Sequence, residues 1–174
     1  MQGAEFIKQM QHKVAVSAVP LSAVRAQGAG VLGASQNFLK RLRLAKIPRS
    51  EIAFRQWLNR QTYSLVDQLP VPYRPWGTAR KVINLFLRDA LYNKYLARAF
   101  KLNQLQRWLE IPLDGAVAKG LKQKAGRGNL PPWLGLKKLT RSESDPFQEY
   151  ALLWAKEART YRVHLDIFLW LENR

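Results

Sequence analysis

The stretch that most constrains the fold begins at Pro75-Trp76-Gly77 and then runs more than twenty residues without Pro or Gly, through Phe100. Val82, Leu85, Phe86 and Ala90 recur at helical spacing, and so do Leu87, Leu91, Tyr95 and Leu96. Apolar positions therefore cover more than one face, which predicts a long helix buried at the centre of the fold rather than lying on its surface. Thr78, Arg80 and Lys81 stand at its head, where unpaired backbone N–H groups and the helix dipole favour an anion.

The rest of the chain supports that helix. Residues 1–19 predict a peripheral helix ended by Pro20, and Gly28, Gly30 and Gly33 precede a short helix over residues 34–42. Ser50 is the expected N-cap of a helix that carries Phe54, Trp57, Leu58, Gln61 and Leu65 on one face. The segment LPVPYRPWG breaks the chain before the central helix. Residues 103–109 form a short amphipathic turn, and Asp114 is placed to cap a helix over 115–122. Asp145-Pro146-Phe147-Gln148 carries the signals of another helix start. The tail YRVHLDIFLWLENR fits a strand or a helix; with no second convincing strand to pair with, helix is preferred. The expected class is all-α: one helical domain over residues 1–174, with a turn leading into a long central helix.

Composition narrows the partners. The 174 residues hold 29 Lys and Arg against 12 Asp and Glu, a formal charge of +17. Residues 115–141 contain seven Lys or Arg and no acid. Such an excess points to a polyanion, most often nucleic acid, with a solubilising face or an anionic lipid surface as the alternatives. Hydrophobic residues at 47% and six Trp are ample for a core. No run reaches the apolar length of a membrane span, and the N-terminal MQGAEFIKQMQHKVAV mixes charges among its apolar residues, unlike a signal peptide. A cytoplasmic monomer without membrane contact is expected. There is no Cys, and the two histidines, His12 and His164, are far apart, so neither a thiolate site nor a zinc site is expected. P-loop, HExxH and serine-nucleophile motifs are absent, and no metal or cofactor is called for.

Two segments carry a resemblance. Trp76-Gly77-Thr78-Ala79-Arg80-Lys81-Val82-Ile83 is similar to the Pro-Gly-x-Gly-x-Lys-x-Ala hairpin of the helix-hairpin-helix DNA glycosylases, matching at Gly77 and Lys81. Ala79 replaces the second Gly; Trp76 replaces the Pro, although Pro75 is adjacent. Leu113-Asp114-Gly115-Ala116-Val117-Ala118-Lys119 resembles that family's Val-Asp-x-His-Val-x-Arg segment, with Ala116 in place of the His. From Lys81 to Asp114 is 33 residues, longer than the family usually shows. The resemblance covers about a quarter of the chain. The segments VRAQGAG, WGTARKVINLFLRDALYN and RVHLDIFLW also look like small bacterial phage-defence proteins, among which are glycosylases that excise glucosylated hydroxymethylcytosine.

The resemblance implies a glycosylase that flips a modified or damaged base out of double-stranded DNA, at a cost of roughly a few kcal/mol. It makes Asp114 the carboxylate that stabilises the oxocarbenium-like sugar, and Lys81 the position of the Schiff-base amine found in bifunctional members. DNA contacts fall to Trp76, Gly77, Thr78, Ala79, Arg80 and Lys119, and a base pocket to Arg25, Gln27, Asn84 and Asp166. Each role has a plainer counterpart. Asp114 is also an ordinary helix cap, Lys81 a phosphate contact, Trp76 a core residue, and Asp166 a buried acid paired with Arg162 or His164. The rival functions are a non-catalytic nucleic-acid-binding module and an adaptor for an acidic protein surface.

Overall fold

Thirteen of the seventeen residues of helix α5 (Trp76–Tyr92) are buried. The computed structural model describes residues 2–24 and 27–172. In chain order these form α1 (Gln2–Ser17), α2 (Leu21–Val24), α3 (Val31–Arg41), α4 (Glu51–Gln68), α5, α6 (Lys94–Ala99), α7 (Gly115–Ala125), α8 (Arg141–Glu157) and α9 (Leu165–Glu172). Single 3-10 turns lie at Leu44–Lys46, Leu102–Leu105 and Arg162–His164. No strand occurs among the described residues, so the fold is an all-α helical domain and the tail adopts the helical alternative. No helix among them is long and apolar enough to cross a membrane.

The apolar side chains gather in two clusters. The first joins α1, α3, α4 and most of α5 around Leu39, Phe54, Leu58, Leu65, Ile83 and Phe86. The second joins α7, α8 and α9 around Ile111, Leu121, Phe147 and Leu169, with Trp76 packed against it. The head of α5 therefore lies at the seam between the two clusters. Gly77 marks how tight that seam is. A Cβ there would lie 2.5 Å from the Leu136 carbonyl oxygen and 2.7 Å from Leu139 Cβ. Only a residue without a side chain lets the 135–139 backbone approach so closely.

Three sequence expectations change. The predicted continuous helix to Phe100 stops at Tyr92, because the Asn93 side chain accepts from the backbone N–H groups of Tyr95 and Leu96 (3.1 Å each) and starts α6 as a new helix. Helix α8 begins four residues before Asp145. Thr140 and Glu143 form a reciprocal capping box, which satisfies two backbone donors and outcompetes the Asp-Pro signal; Pro146 is carried inside the helix. On α4, the apolar stripe continues through buried Thr62 rather than Gln61, and Ser50 sits at the N-cap without a side-chain capping bond.

Candidate functional site at the seam

Successive residues of a helix point about 100° apart, so Arg80 and Lys81 leave α5 in different directions and each meets a carboxylate. Lys81 Nζ lies 3.1 Å from Asp114 Oδ2, with the lysine side chain 9% and the aspartate 32% exposed. The ammonium also donates to the Ala23 carbonyl oxygen at 3.4 Å. Asp114 Oδ1 accepts from the N–H groups of Ala116 and Val117, 3.0 Å each, and so caps α7. One carboxylate oxygen is thus committed to the helix and the other to the lysine, which fixes its plane.

Asp114 is held from behind by buried anchors. The Gln148 amide accepts from Ile111 N (3.1 Å) and donates to Ile111 O (2.9 Å), which clamps the segment leading to Asp114 onto α8. Arg162 donates to the carbonyl oxygens of Trp108 and Leu109, 2.9 Å each. Two turns beyond Lys81, along the same face of α5, Arg88 bonds both Asp89 and Asp166. The partner of Asp166 is therefore Arg88, not Arg162 or His164; His164 turns to Tyr92 and Gln106 instead. Burial raises the Asp166 carboxyl above its ordinary value; Arg88 and Lys81 pull it down, and the Asp114 charge pushes it further up. Asp166 therefore feels both members of the Lys81–Asp114 pair.

The predicted DNA-facing turn is buried. Gly77, Thr78, Ala79 and Arg80 are all inside the protein, within the first turns of α5 rather than on an open hairpin. Thr78 donates to Gln27 Oε1 at 2.7 Å. Arg80 pairs with Glu110 (2.9 Å), donates to Thr62 (2.8 Å) and Asn59 (2.7 Å), and lies 5.1 Å from the centre of the Trp76 ring. Its guanidinium is engaged inside the protein. Asn84 donates to Glu110 Oε2 at 3.0 Å, so it belongs to this internal cluster and not to the Lys81–Asp114 face. Trp76 is half-buried over the second core, as the plainer reading expected.

Of the remaining candidates, Lys119 is exposed on α7, and Gly115 and Ala116 at the head of that helix are exposed beside Asp114. Gln27 is buried and lines a cavity of about 290 Å³ with Tyr73, Arg74 and Lys137, at the head of α5. Arg25 lies outside the described residues. Trp133 comes close to Gly115, where an added Cβ would lie 3.5 Å from its indole nitrogen.

Glu110 is the residue that the sequence did not reveal. Burial raises its carboxyl, but Arg80, Arg162 and the Asn84 hydrogen bond outweigh this and hold it below the ordinary value. An acid set among the apolar residues of WLEIPL was its one sequence signal. No group of three or more His, Cys, Asp or Glu able to hold a metal occurs among the described residues. No known protein family, curated protein or solved structure matches the chain.

Proposed function

We propose that the protein is a DNA glycosylase in which Asp114 and Lys81 act on the glycosidic bond of a flipped nucleotide. The observation that carries this reading is the 3.1 Å approach of Lys81 to a half-exposed Asp114 across 33 residues of sequence, at the two positions singled out by the family resemblance. In this mechanism Asp114 faces the sugar as the C–N bond breaks, stabilises the positive charge developing there and orients the attacking water. Its fixed orientation removes the need to reorganise during the reaction. Lys81 holds that carboxylate in place; in a lyase variant of the reaction its amine, after giving its proton to Asp114, attacks C1′ of the sugar and the base leaves with the electron pair of the glycosidic bond.

The phosphate grip is moved relative to the family pattern. With residues 77–80 buried, exposed Lys119 on α7 takes the strand next to Asp114. The cavity beside Gln27, Tyr73, Arg74 and Lys137, at the head of α5, is the concave space assigned to the base. Glucosylated hydroxymethylcytosine in phage DNA is the substrate suggested by the sequence resemblance, and a cytoplasmic monomer acting on double-stranded DNA fits it.

A second reading is favoured by the two hydrogen bonds with which Asp114 caps α7, and by the burial of the predicted hairpin. It is a basic nucleic-acid-binding module in which Lys81–Asp114 only joins α5 to α7. Mass spectrometry of bases released from DNAs containing uracil, oxidised or alkylated bases or glucosylated cytosine separates the two. Asn is as good an N-cap as Asp, so Asp114→Asn keeps α7 intact while removing the charge. A glycosylase releases one base and loses that release in the variant while still binding DNA. A binding module releases none, and the variant alters only its salt-sensitive affinity.

A further inference from the structure

A cavity of about 560 Å³ shares no residue with the Lys81–Asp114 site. It opens between the end of α3, the Leu44–Lys46 turn and α4, within the size range of about 300–1,000 Å³ that takes small ligands. Arg41, Arg43 and Lys46 line it, and no carboxylate does. All three cations are exposed. Arg41 is held in place by Asn37 O and Gln68 Oε1, both at 3.1 Å. The side chains of Arg43 and Lys46 have no hydrogen-bond or ion-pair partner among the described residues.

The floor is apolar and aromatic, with Phe38 and Trp57 each showing 6% of their surface. Gln61 adds an amide with no partner among the described residues. The end of α3 would ordinarily present carbonyl oxygens that repel an anion. Here the two N–H groups of the Gln11 amide are shared among three carbonyl oxygens, those of Leu39 (3.1 Å), Lys40 (3.3 Å) and Leu42 (2.8 Å), and so weaken the negative pole beneath the cations.

We infer that this cleft is a binding site for an unpaired nucleotide of a nucleic-acid strand. The base lies on the Phe38–Trp57 floor with its edge toward Gln61, and the flanking phosphates meet Arg41, Arg43 and Lys46. Clustered cations over an aromatic floor are what a single strand requires, because every base has a face to pack and every phosphate a charge to neutralise. The +17 charge of the whole chain favours a strand over a lone nucleotide as occupant. The site does not depend on whether Asp114 is catalytic.

The test is fluorescence anisotropy of the full chain with a labelled oligothymidylate and, separately, a labelled duplex, over a salt series. Arg43→Glu/Lys46→Glu changes two exposed side chains; Lys8→Glu/Lys13→Glu on α1 makes the same change in net charge elsewhere. The expected result is a loss of roughly tenfold or more in oligothymidylate affinity for the first pair only. The salt slope for the single strand also falls by about 1.4, at about 0.7 for each phosphate left without its cation. Equal losses for both double variants would overturn the inference, as would equal losses for single strand and duplex. Saturable binding of thymidine monophosphate, abolished in Arg43→Glu/Lys46→Glu while oligothymidylate binding persists, would overturn it in favour of a free nucleotide. The excision reading is tested by base release and not by this binding, so the fate of the two is measured separately.

Discussion

Arg80 and Lys81 are neighbours on one helix, and each meets a carboxylate supplied by the same short segment, yet the two pairs differ in kind. Arg80–Glu110 is sealed inside the protein, surrounded by Asn59, Thr62, Asn84 and Arg162. Lys81–Asp114 is open on the Asp114 side, and its carboxylate lies beside exposed backbone at the head of α7. A fully buried ion pair costs a great deal to break, whereas one whose carboxylate is about a third exposed is partly screened by solvent and stays accessible to a ligand on that side. The first pair holds the 110–114 segment in place; the second is what that segment presents.

The contrast is broken most severely at Glu110. Glu110→Ala leaves the buried Arg80 without its carboxylate and is expected to destabilise the fold by about 3–5 kcal/mol, read from urea unfolding. No comparable loss would show that the cluster is wetter than its burial implies. The same carboxyl gives a pH signature. Its folded-state value lies below the ordinary 4.5, so the unfolded chain binds more protons in the interval between the two. Stability is then fully present above about pH 4.5 and falls as pH drops through the folded value. Glu110→Gln is expected to lack that contribution to the acid slope, measured by unfolding midpoints across the acid range.

Gly77→Ala addresses the seam itself. A Cβ at 2.5 Å from the Leu136 carbonyl oxygen forces the 135–139 segment away from α5, at about 1–3 kcal/mol. If residues 76–80 instead formed an open, DNA-facing turn, the substitution would weaken DNA binding and barely change the melting temperature. At the other pair the expected effects are smallest. Asp114→Ala removes the α7 cap and is expected to cost about 0.5–2 kcal/mol, while Asp114→Asn recovers most of it. Equal costs for the two variants would place the stabilisation in the contact with Lys81 rather than in the cap.

Much of the local structure could be read from the sequence. The burial of α5 follows from apolar residues on more than one face, and the capping role of Asp114 from an Asp placed just before Gly-Ala-Val. Where local signals competed, the better-satisfied backbone won. Asn93 bonds two N–H groups and divides the long helix, and Thr140 with Glu143 outcompetes Asp145 before Pro146. Asn93 and the capping box were visible as residue types, but which of several possible starts a helix uses depends on the packing that follows.

The polar pairings were less legible. Arg80, with Trp76, Gly77, Thr78 and Ala79, looked like the head of an exposed anion-binding turn, because nothing in that stretch shows that residues 135–139 fold over it. Asp166 had basic neighbours at positions 162 and 164 but found Arg88, 78 residues away, once α9 packed beside α7 and α5. Glu110 reaches Arg80 across 30 residues.

By itself, then, the sequence determined the helical class, the burial of α5, the cap on α7 and the strong positive charge, all of which follow from spacing and composition within a few turns of chain. Only the tertiary structure decided which carboxylate meets which cation and which of those pairs remains open to solvent. Those outcomes depend on the relative direction of side chains from helices far apart in sequence, and the packing of the two cores sets that direction.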